Sequence, residues 1–137
     1  MKLCSACLLG INCRYNGETK SNQKIIKLAE NEILIPVCPE QLGGLATPRE
    51  PAEQKDNKVF TKSGKNVTNI FENGAKEVLK IAKLFNIRET ILKQRSPSCG
   101  CDQIYNGNFD GTVINGDGVC TKLLKENGIK VISEEDL

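Results

Sequence analysis

The sequence contains the stretch Thr90-Ile91-Leu92-Lys93-Gln94-Arg95-Ser96-Pro97-Ser98-Cys99-Gly100, in which an apolar run gives way to polar residues and ends in a thiol. This order predicts a buried strand that runs into a sharp turn. Pro97 biases the residue before it toward extended backbone and removes a hydrogen-bond donor, while Gly100 permits dihedral angles closed to other residues. The turn is therefore expected to hold the Cys99 thiol in one direction.

Two earlier segments repeat this pattern of a strand that ends in a thiol. The first predicted strand, 2–6, is followed by Cys7, and the second, 32–37, is followed by Cys38. Both strands are short and mostly apolar, which is typical of a buried parallel sheet. Because the carboxyl ends of parallel strands meet at one edge, where open sheets bind ligands, we expect Cys7, Cys38 and Cys99 to converge there.

The alternation of strands with helical patterns predicts an α/β fold. We expect a small, mostly parallel, Rossmann-like sheet of about four strands, flanked by helices, with a small hairpin beside it. The hairpin is predicted over 58–67, with its turn at Ser63-Gly64-Lys65, after a long irregular loop over 41–57. The remaining predicted elements are helices over 23–31, 68–86 and 119–126, a strand over 90–92, a glycine-rich loop over 100–118 and a strand over 130–132.

Length and composition limit the classes of protein to consider. The chain of 137 residues fits one domain spanning 1–137. The net charge of +2 is nearly balanced, and the basic residues are scattered, so neither a nucleic-acid partner nor a membrane partner is expected. The N-terminal apolar segment is too short for a secretory signal or a membrane span. We therefore expect a cytoplasmic protein.

Cysteine is the residue type that carries the chemical information. The chain has seven cysteines and no histidine, and an odd count without a signal peptide argues against a disulfide framework. The lack of imidazole excludes Ser-His triads, Cys-His dyads and histidine-containing zinc sites. Any bound metal must be held by thiolates or carboxylates. The cysteines are Cys4, Cys7, Cys13, Cys38, Cys99, Cys101 and Cys120.

Not every cysteine is expected to share the chemistry. Cys4 within the first strand and Cys120 on a helix face are predicted to be small buried hydrophobic residues, whereas Cys101 fits either role. Cys13 is a possible additional member of the strand-end site. The spacing of Cys4 and Cys7 resembles a thioredoxin-like motif, but that motif places its first thiol at a helix N-terminus, and here it lies in a strand.

A shared site of dispersed thiols favours a metal. Structural zinc fingers usually bring closely spaced cysteine pairs together, so an iron-sulfur cluster suits these residues at least as well as zinc. Three thiols would leave one iron of a cubane cluster with an open position, which is the feature of a catalytic metal site. The alternatives are a zinc or cluster module with a structural or sensing role and no catalysis, and a thiol redox enzyme.

Other functional groups lie close to these cysteines in the sequence. Glu40 follows Cys38 by two residues, and Ser96 and Ser98 precede Cys99, so a carboxylate and hydroxyls are expected beside the metal. A glutamate in a partly dry pocket exchanges protons near neutral pH. Arg14, Arg49 and Arg95 could orient a planar or anionic substrate, although each alone is more typical of a surface charge. The residues predicted to bind the substrate are Arg14, Tyr15 and Arg49.

Several segments, in order along the chain, resemble the signatures of the thiouracil desulfidase (TudS) family, long catalogued as a bacterial domain of unknown function. The resemblance runs essentially from end to end. The segments are Ser5-Ala6-Cys7-Leu8-Leu9-Gly10, Cys13-Arg14-Tyr15-Asn16-Gly17, Pro36-Val37-Cys38-Pro39-Glu40, Gly43-Gly44-Leu45, Thr47-Pro48-Arg49, Ser96-Pro97-Ser98-Cys99-Gly100 and Asn127-Gly128-Ile129-Lys130-Val131.

This resemblance implies a [4Fe-4S] cluster held by Cys7, Cys38 and Cys99, whose open iron takes the sulfur of a thiolated nucleobase such as 2- or 4-thiouracil. Water then replaces sulfur, which gives uracil and sulfide without net redox change. Glu40 becomes the proton-transfer group, assisted by one serine of the turn before Cys99. Asn16 stands where the family has Asp, so no role for a carboxylate is carried over at that position.

Overall fold

The computed structural model describes all residues 1–137. The strands in chain order are β1 (Lys2–Ser5), β2 (Leu34–Val37), β3 (Ala52–Lys55), β4 (Lys58–Thr61), β5 (Glu89–Leu92), β6 (Gln103–Tyr105), β7 (Val113–Asn115) and β8 (Lys130–Ser133). The α-helices are α1 (Gln23–Ala29), α2 (Pro39–Leu42), α3 (Thr68–Leu84) and α4 (Val119–Glu126). None of these helices combines the length and the apolar character needed to cross a membrane.

Four strands form the central sheet in the order β2-β1-β5-β8, and every neighbouring pair is parallel. Successive side chains of β1 point to opposite faces. Leu3 packs with residues of α3 and α4 on one face, and Cys4 packs with Ile25 of α1 on the other. The predicted α/β class, with a parallel sheet flanked by helices, is confirmed.

The helices form where the sequence supplies a cap and a periodic apolar face. The Asn22 side chain accepts hydrogen bonds from the backbone N–H groups of Lys24 and Ile25 at 3.0 and 3.3 Å, which caps α1. Helix α3 packs against both α2 and α4. Its buried face consists of Phe71, Gly74, Ala75, Val78 and Ala82, at helical spacing.

The predicted hairpin over 58–67 forms only in part, and the regular hairpin lies earlier in the chain, over 52–61. The ladder joins β3 to β4 and turns at Asp56 and Asn57, whose φ angles are 53° and 64°. Asp and Asn tolerate this left-handed conformation, and a turn with two such residues matches the twist of a hairpin. At the predicted turn the chain does fold back: Phe60 and Asn66 form an isolated bridge, and the N–H groups of Thr61 and Val67 donate to the carbonyls of Lys65 and Val59, both at 2.9 Å.

The predicted loops also contain regular structure. The glycine-rich loop over 100–118 folds into an antiparallel pair, β6 and β7. The irregular loop over 41–57 includes the end of α2 and all of β3. Both departures come from strands of three or four residues, which are too short to show the apolar alternation that identifies a strand.

Candidate metal centre and active site

A cavity of about 540 Å³ opens beyond the carboxyl ends of the central strands. Its walls come from the segments that follow β1, β2 and β5, and from the β3–β4 hairpin. This is the edge at which parallel sheets bind ligands. The cavity is large enough for a small molecule together with a metal group.

Cys7 lies in a 3-10 turn, Ala6–Leu9, immediately after β1. Its thiol side chain is buried and lines the cavity. The Cys7 carbonyl accepts hydrogen bonds from the Thr19 hydroxyl at 2.8 Å and from the Lys20 N–H at 3.0 Å. These bonds fix the backbone at Cys7 against the loop that follows.

Cys38 is the residue between β2 and the short helix α2. Its extended backbone, with φ −131°, and Pro39 at the first helical position set the direction in which the chain leaves the strand. The thiol lines the cavity and donates a hydrogen bond to the Cys13 carbonyl at 3.7 Å. Its contact with the Cys13 thiol, together with burial, raises the pKa of Cys38.

Cys99 sits in the turn after β5, and the Ser96 hydroxyl accepts from the N–H groups of Ser98 and Cys99, both at 3.1 Å. Gly100 is required next, because a Cβ there would lie 2.3 Å from the Gln103 carbonyl oxygen. Burial and the negative charge of Glu40 raise the pKa of Cys99. The turn therefore presents a buried thiol to the cavity, which Cys99 lines.

The Lys93–Arg95 segment that leads into this turn is braced by a 3-10 turn that follows β8, Glu134–Asp136. Glu134 accepts a hydrogen bond from the Gln94 N–H at 2.6 Å and pairs with the Lys93 ammonium at 3.2 Å. Arg95 pairs with Glu135. The approach to Cys99 is thus held by charged residues that follow the neighbouring strand β8.

Cys13 is a fourth thiol at the same cavity. It is buried, and its thiol contacts those of Cys38 and Cys7. The contact with Cys38 lowers the pKa of Cys13, but the contact with Cys7, burial and the charge of Glu40 raise it by more, to about 11. Cys13 therefore lies against two of the predicted ligands.

Glu40 occupies the first turn of α2, and its side chain, 15% exposed, reaches the cavity. Burial raises the pKa of Glu40, and the nearby positive charge of Arg49 opposes that rise. The Arg49 Nη2 atom lies 3.8 Å from a Glu40 carboxylate oxygen. The carboxyl group is thus partly dry and has one cationic neighbour.

The predicted substrate contacts Arg14, Tyr15 and Arg49 all line the cavity. The Arg14 guanidinium lies over the Tyr15 ring, 5.6 Å from its centroid. The Arg49 guanidinium donates to the Cys13 carbonyl and to the Thr47 hydroxyl, both at 2.9 Å. Much of the Arg49 donor capacity is therefore engaged within the protein.

The two serines of the turn have different surroundings. Ser96 lines the cavity, and its hydroxyl oxygen accepts the two backbone bonds described above. Ser98 is fully buried and is not part of the cavity wall. The Ser98 hydroxyl oxygen is the one buried side-chain polar atom without a hydrogen-bond partner.

Sequence reasoning missed several residues that line the cavity. Ser5 is one: its hydroxyl accepts from the Lys93 N–H at 2.9 Å and contacts the Cys99 thiol. A polar residue inside an otherwise apolar strand was a signal that could have identified it. Tyr105 and Phe109 also line the cavity, from β6 and the β6–β7 connection, and no local pattern marked them.

Two other thiols lie in the core, as expected. Cys4 and Cys120 are fully buried and belong to the hydrophobic clusters on opposite faces of the sheet. Burial raises the pKa of Cys4 to about 12. This is the opposite of the lowered pKa that a redox-active Cys-x-x-Cys thiol requires, so the geometry argues against a thioredoxin-like motif at Cys4 and Cys7.

Spacing distinguishes the strand-end thiols from a single-ion site. Only one group of three Cys, Asp or Glu residues has ligand atoms within 4.8 Å of one another, namely Cys101, Asp102 and Asp117. There the Lys125 ammonium already lies 3.2 and 3.1 Å from the two carboxylates, so a cation is supplied by the protein. The thiols of Cys7, Cys38 and Cys99 are spread more widely.

Comparison with known proteins identifies the family of the chain. The family model described as 2-thiouracil desulfurase matches residues 3–136. The chain belongs to the 2-thiouracil desulfurase family. Its relatives include the uncharacterized protein YbbK of Bacillus subtilis (strain 168), which is 46% identical over 147 residues, covering 100% of this chain and 97% of YbbK.

A solved structure of the family has the same fold. It is described as the [4Fe-4S]-dependent thiouracil desulfidase TudS, and it superposes with a TM-score of 0.94 at 43% identity, over 99% of this chain and 91% of that one. The predicted family resemblance is thereby confirmed. The two chains share their architecture along nearly their whole length.

Proposed function

We propose that this chain is a [4Fe-4S]-dependent desulfidase that converts thiolated pyrimidines, such as 2- or 4-thiouracil, and water into the oxygen-containing base and hydrogen sulfide. The single observation that carries the proposal is that thiols from three strand ends line one cavity, beside a partly buried carboxyl group. The family and the description of its solved member support the same activity.

Cys7, Cys38 and Cys99 would hold the cluster. Their spacing favours a cluster over one zinc ion, because Zn–S bonds of about 2.3 Å bring tetrahedral sulfur ligands to about 3.8 Å from one another. The donor set is all sulfur, which suits iron and excludes hard cations. Held by three cysteines, the cluster would supply an open iron, a soft Lewis acid suited to sulfur that would make the ring carbon of a thione more electrophilic.

The residues of the cavity would manage protons and orientation. Glu40 is placed to hand a proton to a ring nitrogen or to take one from the attacking water, because its carboxyl group reaches the cavity. Arg14, Tyr15 and Arg49 would contact the ring and exclude bulk water. Ser96 is proposed to contact the substrate directly, and Ser98 to act from its buried position behind the turn.

Cys13 is assigned a supporting role rather than that of a ligand. Its thiol contacts those of Cys7 and Cys38, so it can donate a hydrogen bond to a ligand sulfur. Hydrogen bonds to ligating sulfurs tune and orient such sites. The proposal therefore predicts that Cys13→Ser retains iron.

Anaerobic purification and assay test the activity. The protein, reconstituted with iron and sulfide, should be brown, contain about four irons per chain and release sulfide from 2- or 4-thiouracil. Sulfide and uracil should form in equal amounts, since water replaces sulfur without redox change. A colourless, iron-free protein with full activity would overturn the proposal, as would a cluster-loaded protein that leaves every thiopyrimidine intact.

A further inference from the structure

Phe109 lies in the connection between β6 and β7 and has a strained backbone. Its φ of 54° is in the left-handed region. For a bulky aromatic residue this conformation is an outlier, and such outliers persist only where the surroundings enforce them.

Strand β3 holds the Phe109 connection in place. A carboxylate oxygen of Glu53 accepts from the N–H groups of Gly107 at 3.0 Å and Phe109 at 3.2 Å. Gly107 packs so closely that a Cβ there would lie 2.6 Å from the Gln54 carbonyl oxygen. The β6–β7 connection is therefore held against β3 both by its backbone hydrogen bonds and by close packing.

Core packing does not account for the Phe109 ring. Phe109 belongs to none of the three hydrophobic clusters of the fold. It is only partly buried, and it lines the cavity that contains the strand-end thiols. A strained, clamped aromatic side chain that faces a cavity and supports no core is positioned for a ligand.

We propose that Phe109 is a stacking platform for the pyrimidine ring and that Glu53 is the positioning residue that keeps it there. This inference rests on the proposed function. The π-face of phenylalanine stacks on any planar base, while the sulfur and the ring nitrogens are left to the metal and the polar residues. Loss of one base–aromatic stack weakens binding by about 5- to 150-fold.

Calorimetric titration of the anaerobic, iron-loaded protein with uracil tests the inference, because uracil has no sulfur to bind iron. Phe109→Leu should raise the Kd for uracil by about 5- to 150-fold, with unchanged iron content. Phe109→Tyr, which keeps the ring, should recover most of the binding. An unchanged Kd in Phe109→Leu would overturn the inference.

Kinetics on thiouracil give an independent reading. Phe109→Leu should raise KM more than it lowers kcat, because stacking binds the ground state and transition state alike. Glu53→Met should shift KM in the same direction, and Glu53→Gln, which retains the accepting oxygen, should restore it. If the wild-type protein loads iron but neither binds uracil nor desulfurises thiouracil, the proposed function and this inference both fail. If the wild-type protein does both and the Phe109 and Glu53 variants behave as it does, this inference alone fails.

Discussion

Cys4 and Cys7 are three residues apart in the chain, but their side chains have different surroundings in the fold. Cys4 lies within β1, fully enclosed between the sheet and α1, whereas Cys7 lies just past the strand end and lines the cavity. Both are buried thiols. What separates them is access to a space that can hold a ligand, and that access is fixed by where the strand stops.

The same contrast extends to the other thiols. Cys38 and Cys99 follow strands as Cys7 does, and Cys120 is enclosed in the core as Cys4 is. A buried thiol in the core is a small hydrophobic side chain. A thiol at the open edge of a parallel sheet stands where ligands bind. Substitutions can test whether this division is also a division of function.

The largest expected effect comes from a strand-end cysteine. Cys38→Ser keeps the size of the side chain but replaces a soft sulfur ligand with a hydroxyl, so the protein should lose its cluster and its desulfidase activity. Iron and sulfide content after anaerobic reconstitution measures the loss of the cluster, and sulfide release from thiouracil measures the loss of activity. Cys120→Ala is the matched control and should load iron normally. Iron loss in both variants would show that thiols at the sheet edge and thiols in the core do not differ in function.

The next effect separates metal binding from catalysis at the edge. Glu40→Gln removes the proton-transfer group but preserves shape, so kcat/KM for thiouracil should fall by about 10²- to 10⁴-fold. Iron content and the visible absorption of the cluster should stay at wild-type values. A variant with full activity would show that the Glu40 carboxyl group has no catalytic role.

A smaller effect is expected where the hairpin supports the Cys99 turn. The Gln54 amide donates to the carbonyls of Pro97 and Asp117, both at 2.9 Å. Gln54→Met removes both donors, so stability should fall by about 1–3 kcal/mol and iron should leave faster under chelator challenge. Lys55→Met, one residue away, removes only the hydrogen bond from the Lys55 ammonium to Asn108 and serves as the control. Equal iron retention in both variants would show that the turn needs no support from the hairpin.

The smallest effect belongs to the core. Cys120→Ala removes one fully buried sulfur atom, and the free energy of unfolding should fall by about 1 kcal/mol, as in other small truncations of a core. Urea denaturation of the iron-loaded protein measures the change. Activity per bound iron should equal that of the wild type. A loss of activity without a loss of stability would place Cys120 in the site after all.

Much of the site at the carboxyl edge of the sheet could be predicted because the sequence patterns that mark it are local. Apolar runs of strand length mark β1, β2 and β5, and the thiols that follow Ser5, Val37 and Leu92 are visible in the sequence. The parallel arrangement then follows from the alternation of strands with helices. The convergence of Cys7, Cys38 and Cys99 required no knowledge of long-range contacts beyond that rule.

The parts that could not be predicted depend on contacts between distant segments. The β3–β4 hairpin was missed because Ala52–Lys55 carries no apolar alternation. The turn between these strands also uses Asp56 and Asn57 rather than glycine. Phe109 was missed because its position depends on Glu53, more than fifty residues earlier. The difference between Ser96 and Ser98 depends on which hydroxyl faces inward, and the turn sequence alone does not specify this.

The contacts that support the Cys99 turn also imply an order of events during synthesis of the chain. Residues 130–136 supply strand β8 and the carboxylates of Glu134 and Glu135 that hold the segment from Lys93 to Arg95. A ribosome makes them after all three strand-end cysteines. Until then the segment that leads to Cys99 lacks these contacts, so under the proposed function cofactor insertion into the complete site would follow synthesis of residue 135.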